Sequence, residues 1–157
     1  MKKIFLAMTA LMVGSHVFAD VATSSIPMGI DVPKSCTFSN VSTGVLVPED
    51  GSEAVGNFTY TCNMDNGFST SISMDSIDQD GAASLKNSLG QKLPIYVLAK
   101  DHVWTFPDLD RKQTVQAVSG FLNLPVNGSI QVKLRSPLPA TTPVGVYTDT
   151  FRIDITY

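Results

Sequence analysis

Hydrophobic and polar residues alternate with a period of two along much of this chain, most sharply in its last stretch. From Tyr147 to Tyr157 the odd positions read Tyr, Asp, Phe, Ile, Ile, Tyr and the even ones Thr, Thr, Arg, Asp, Thr. Successive side chains of a strand point to opposite faces of its sheet, so the pattern predicts a half-buried strand. Its core face is Phe151, Ile153 and Ile155, with Tyr147 and Tyr157 at its ends, and Arg152 and Asp154 face solvent. Three other segments carry the same signal: Phe58, Tyr60 and Cys62 on one face of 55–62, Phe68, Ile72 and Met74 within 68–74, and Ile130, Val132 and Leu134 within 129–136. The run from Lys92 to Ala99 is almost continuously apolar, as expected of a strand buried on both faces. Asp50-Gly51, Asn66-Gly67, Asp80-Gly81 and Asn127-Gly128 read as turns, because such pairs adopt positive φ readily. Pro137, Pro139 and Pro143 fill the loop before the last strand, and only Ala82 to Leu89 suits a helical turn or two. Many short strands separated by turns predict an all-β sandwich.

The two ends of the chain add to this picture. Lys2 and Lys3, the apolar run Ile4–Val13 and the small-residue site Val17-Phe18-Ala19 form a secretory signal over residues 1–19. That apolar run is shorter than the roughly 20 residues a spanning helix needs. The mature chain is then expected to start at Asp20 and to be a soluble exported protein. Loss of Lys2 and Lys3 makes the formal charge of −3 two units more negative. A mildly acidic surface argues against nucleic acid and against anionic membrane as partners. Export also bears on the two cysteines, Cys36 and Cys62. In an oxidising compartment an even pair is most simply a disulfide. A metal pair or a redox pair is the alternative, weakened by the lack of Cys-x-x-Cys spacing and by the single histidine left, His102.

Before Cys36 lies a segment, 20–35, with Ile26, Met28, Ile30 and Val32 at alternate positions and a polar stretch, 20–25, ahead of it. Pro27 and Pro33 lack backbone donors and suit an edge position. Periodicity fits two arrangements equally: a first strand of the chain's own sheet, or an extension that adds to another molecule's sheet. The last strand bears on the choice. A strand closing the chain at a sheet edge offers a row of unpaired backbone groups to another chain.

Several motifs together resemble a known family. They are Ser35-Cys36-Thr37-Phe38 after the alternating N-terminal segment, Phe58-Thr59-Tyr60-Thr61-Cys62, Ser84-Leu85-Lys86-Asn87, and Val144-Gly145-Val146-Tyr147-Thr148-Asp149-Thr150 running to a terminal Tyr. The mature chain is similar to the spore coat protein U domain, the fold of subunits in archaic chaperone–usher pili. The Ile26-Pro27-Met28-Gly29 stretch departs from that family's plain strand. The resemblance implies a domain over 36–157 that is an immunoglobulin-like β-sandwich lacking its last strand. It implies a donor strand of Ile26, Met28, Ile30 and Val32 acting in a neighbouring subunit. It also implies an acceptor groove lined by Tyr147, Phe151, Ile153, Ile155 and Tyr157. The partners it implies are a periplasmic chaperone, an outer-membrane usher and other copies or related pilins at the cell surface, with no nucleic acid and no cofactor. Burying four such side chains contributes roughly 6–12 kcal/mol, against about 5–15 kcal/mol for the net stability of a domain.

Readings from other classes have less in the sequence to draw on. An enzyme of the Ser-His-Asp or Cys-His kind would centre on His102, which sits in an apparent turn, Lys100–Trp104. The carboxylate pairs Asp78/Asp80 and Asp108/Asp110 fall in loops, and Asp78-x-Asp80-Gly81 lacks the remaining ligand spacing of a calcium loop. Tyr96, Trp104 and Phe106 suit packing more readily than a sugar platform. The expectation is therefore a non-enzymatic fibre subunit. The alternative is a self-contained secreted β-sandwich binding module, for carbohydrate or as a coat or matrix protein, whose N-terminal strand completes its own sheet.

Overall fold

The computed structural model describes residues 26–65, 67–116, 120 and 122–157. The signal segment 1–19, the polar stretch 20–25 and Asn66 of the Asn66-Gly67 turn lie outside the described residues. The chain separates into two units, with the break between Asp31 and Val32. In the first unit, residues 26–31 have no regular secondary structure, and Ile26, Met28 and Ile30 are exposed.

The second unit is all-β. Its strands are β1 (Cys36–Ser39), β2 (Ala54–Cys62), β3 (Ser69–Met74), β4 (Ser84–Lys86), β5 (Lys92–Asp101), β6 (Thr105–Phe106), β7 (Gln113–Gln116), β8 (Val126–Leu134) and β9 (Phe151–Thr156), with one short helix, α1 (Asp75–Asp80). One antiparallel sheet runs β1-β2-β8-β5-β4, with β6 beside β5, and the other runs β7-β3-β9. These two curled antiparallel sheets form an immunoglobulin-like sandwich, and within the larger sheet a Cys36–Cys62 disulfide closes the first pair of the β1–β2 register. The disulfide shuts a loop of 26 residues, for which restriction of the unfolded chain gives about 3–3.5 kcal/mol.

The core follows from the alternation. Phe58, Tyr60 and Cys62 of β2 and Ile95, Val97 and Ala99 of β5, in one sheet, are buried in the same core as Ile72 and Met74 of β3 in the other. β5 is buried on one face only: Tyr96 and Leu98 lie half-exposed on the outside, so the continuous apolar run does not mean two covered faces. Lys133 lies over the Tyr96 ring at 5.2 Å and shields it there. Two turn expectations also change. Asp80-Gly81 ends α1, but Ala82–Leu89 is not helical; Ser84–Lys86 pairs with Lys92–Pro94 as β4. Asn127-Gly128 lies inside β8 rather than at a turn. Gly128 stands opposite Phe58, and a Cβ there would meet the Phe58 ring at 2.1 Å, so the glycine makes room for a core aromatic.

Candidate functional site

β9 is an edge strand, and among the described residues it pairs with β3 alone. Asp75 N–H donates to the Thr150 carbonyl at 3.1 Å, just beyond the register that sets Met74 against Phe151. Alternate pairs of an antiparallel ladder exchange bonds, so Arg152 and Asp154 direct their backbone groups at β3. The backbone groups of Phe151, Ile153 and Ile155 therefore point away from β3, along the free edge. The side chains of these three residues are half-buried and packed on the core, while Arg152 and Asp154 are exposed. Arg152 holds Asp75 through a 2.7 Å contact, which keeps the Asp75 carboxyl below its usual range.

Beside that edge runs an apolar cleft of about 460 Å³. One wall is Phe38 of β1 with Val41, Val45 and Val47 of the segment after it; the other is Phe151 and Ile153. Phe58, Met74, Ile95 and Val132 form the floor. Val45 reaches the wall because Gly56 has no side chain: a Cβ there would meet Val45 Cγ2 at 2.6 Å. A second cleft of about 790 Å³ continues past the start of β9, sharing Val45, Val47, Leu85 and Asp149 with the first and adding Leu46, Leu93, Leu134, Leu138 and Val144. At the junction, Asp149 accepts from the Ser76 N–H and hydroxyl and from the Thr150 N–H. Apolar pockets beside a free strand edge suit an extended apolar peptide, with the side chains in the pockets and the backbone bonded to the edge.

The residues expected at this site fall in different places. Phe151 and Ile153 line the cleft, and Ile155 lies further along the same face. Tyr147 stands outside β9, because the stretch before Phe151 pairs elsewhere: Thr148 exchanges backbone bonds with Lys86, at 2.9 and 3.0 Å. The Tyr147 hydroxyl donates to the Pro143 carbonyl, and the ring lines the second cleft. Tyr157 follows the strand and is exposed. Ile26, Met28, Ile30 and Val32 are between 66% and 93% exposed. The wall formed by Val41, Val45 and Val47 is not among the residues singled out from sequence, although its odd-position spacing is a usable signal.

The segment leading into the domain is fastened at one point. Asn63 Nδ2 donates to the Pro33 carbonyl, Asn63 Oδ1 accepts from Ser35 N–H, and Asn63 N–H donates to the Ser35 carbonyl. None of the other candidate site residues lines either cleft. His102 lies in the β5–β6 turn. Asp80 pairs with Lys86 and Lys92, and Asp78 accepts from Ser73. Asp108 pairs with Arg135, while Asp110 lies 3.9 Å from Arg111. Trp104 is buried and stacks on Phe106 at 5.2 Å between ring centres.

No family model matches the chain, and no curated protein matches it either. Among solved structures, the chain is similar to one in a chaperone–tip adhesin complex described as vital for synergistic activation of CFA/I fimbriae biogenesis. That likeness has a TM-score of 0.43 and 12% identity, covering 77% of this chain and 41% of the other.

Proposed function

We propose that this chain is a non-enzymatic structural subunit of a surface fibre, in which the N-terminal segment of one copy fills the cleft beside β9 of the next. The observation that carries the reading is the edge of β9, unpaired among the described residues, that borders an apolar cleft. The exposed, alternating Ile26, Met28, Ile30 and Val32 supply side chains of the kind the cleft takes. The family resemblance adds a periplasmic chaperone that holds the cleft before assembly, an outer-membrane usher, and a place on the cell surface. The reading assigns no cofactor.

Proline placement sets the direction of the added strand. In an antiparallel ladder, opposite residues share a face and exchange bonds with each other; in a parallel one, each residue bonds to the two that flank its opposite. β9 offers the backbone groups of its core-facing residues. An antiparallel donor would meet them with Ile26, Met28, Ile30 and Val32, all of which keep their N–H. A parallel donor would meet them with Pro27, Gly29, Asp31 and Pro33, and two of these have no N–H to give. The segment therefore suits antiparallel addition.

The test is deletion of residues 20–30. The expected outcome is a subunit that still binds its chaperone in a pull-down but forms no heat-resistant polymer as its own neighbour. If the intact monomer is thermostable without any partner, and unfolds once truncated, the segment completes its own sheet and the secreted binding module is the right reading.

A further inference from the structure

Two apolar patches stand at opposite ends of the sandwich. Leu46 and Val144 are 92% and 98% exposed on the rim of the second cleft, beyond the start of β9. Leu122 and Leu124 are 51% and 54% exposed at the other end, where Leu122 bridges to Cys62 and the Asn123 N–H donates to the Cys62 carbonyl. The same end is where the N-terminal segment leaves the domain, since Asn63 holds Pro33 and Ser35 there. Register keeps the ends apart: Tyr60 lies opposite Val126, whereas Ala54, at the far end of β2, lies opposite Val132.

We propose that these patches are the two halves of one contact between successive copies of this chain. Leu122 and Leu124 of the copy supplying the strand seat against Leu46 and Val144 of the copy receiving it. The inference rests on the strand-addition reading above, and the geometry follows from it. A strand antiparallel to β9 finishes where β9 begins, so Val32 of the supplying copy comes to lie by Phe151. Three residues carry the chain from Val32 to Ser35, a reach of no more than about 10 Å. Asn63 pins Pro33 and Ser35 to the body, which leaves this tether no slack. The Leu122 end of one copy must then arrive against the Val144 end of the next. The patches differ from each other, so the contact is head-to-tail, the kind that can repeat from copy to copy.

A cysteine pair tests it. Leu124→Cys and Val144→Cys are placed in one chain, the polymer is assembled, and a thiol-to-thiol linker of about 10 Å reach is added, matched to the tether. The two sites cannot be joined within one copy, since the nine residues of β2 set them about 30 Å apart. The expected result is a covalent ladder that survives boiling in denaturant, absent when Leu124→Cys is combined with Val103→Cys, which lies at the Leu124 end of the sandwich just after the Asp101–Gly128 pair. A heat-resistant polymer that gives no covalent ladder, or the same ladder from the control pair, overturns the contact and leaves strand addition standing. If the unsubstituted chain forms no polymer, strand addition fails and the contact fails with it. Charge swaps give a second measurement should the cysteines disturb folding. Val144→Asp lowers the melting point of the polymer, and adding Leu124→Lys to the same chain restores it; no recovery counts against the contact.

Discussion

β2 and β9 are strands of the same kind, each alternating apolar with polar residues, yet their core faces end up differently. β2 has β1 on one side and β8 on the other, and its Phe58, Tyr60 and Cys62 are no more than 5% exposed. Among the described residues β9 has β3 on one side only, and its Phe151, Ile153 and Ile155 stay half-exposed over a cleft. Alternation therefore decides which way a side chain points, while the number of flanking strands decides how deeply it is buried. What distinguishes β9 is a missing neighbour, not a weaker sequence.

The comparison breaks hardest if the phase of β9 is wrong. Ile153→Asp sets an unpaired carboxylate on the core face, a penalty of several kcal/mol that should abolish accumulation of folded protein. Arg152→Ser, one residue away, exchanges an exposed ion pair with Asp75 and should leave accumulation unchanged. Equal yields from the two variants on a quantitative blot would reverse the assignment of faces.

A smaller effect is expected on β2, where the core is closed. Gly128→Ala drives a methyl into the Phe58 ring and should destabilise the domain by about 1–3 kcal/mol, the usual range for overpacking. In the Phe58→Leu background the same change should lose most of its effect. A pair of denaturant melts on each background gives the coupling directly, and additive losses would mean that Phe58 is not what demands the glycine.

The mildest probe is pH. Burial first, and then the charge of Asp101 beside it, push the Tyr60 hydroxyl up to about 12 from an ordinary 10. The folded state thus holds this proton more tightly than the unfolded one. Its contribution is fully present below pH 10 and is lost as the pH rises toward 12. Melting temperature measured from pH 9 to 12 should fall more steeply for the native chain than for Tyr60→Phe; parallel curves would remove Tyr60 from the account.

Which parts of the fold were legible follows from how far each residue's partner lies along the chain. Phe58, Tyr60 and Cys62 declare their face through spacing alone, and so do Phe151, Ile153 and Ile155. The cysteine pair was readable from an even count together with the expectation of export. Asn127-Gly128 was not, because turn chemistry and a glycine making room for Phe58 look identical locally, and the ring lies about 70 positions earlier in the chain. The start of β9 was overextended for a similar reason: Thr148 keeps the alternating phase but gives its bonds to Lys86. Ala82–Leu89 has helical composition, and the edge offered by Lys92–Pro94 outweighs it. The cleft itself needs β1 and β9 side by side, from opposite ends of the chain, and only one of its walls could be named beforehand.

The fastening at Asn63 and the Cys36–Cys62 bond also determine where a pull on the molecule would go. In the proposed fibre, tension on the N-terminal segment enters the domain at Pro33–Ser35. Drawn from its first residue, the four-residue β1 would have only the few bonds of its short ladder with β2 to resist the load. The disulfide joins that first residue covalently to the last residue of β2, a strand held on both sides. Force is thereby handed past β1 into the middle of the larger sheet. There it acts along β2 and loads the β2–β8 ladder in shear, where many hydrogen bonds resist together.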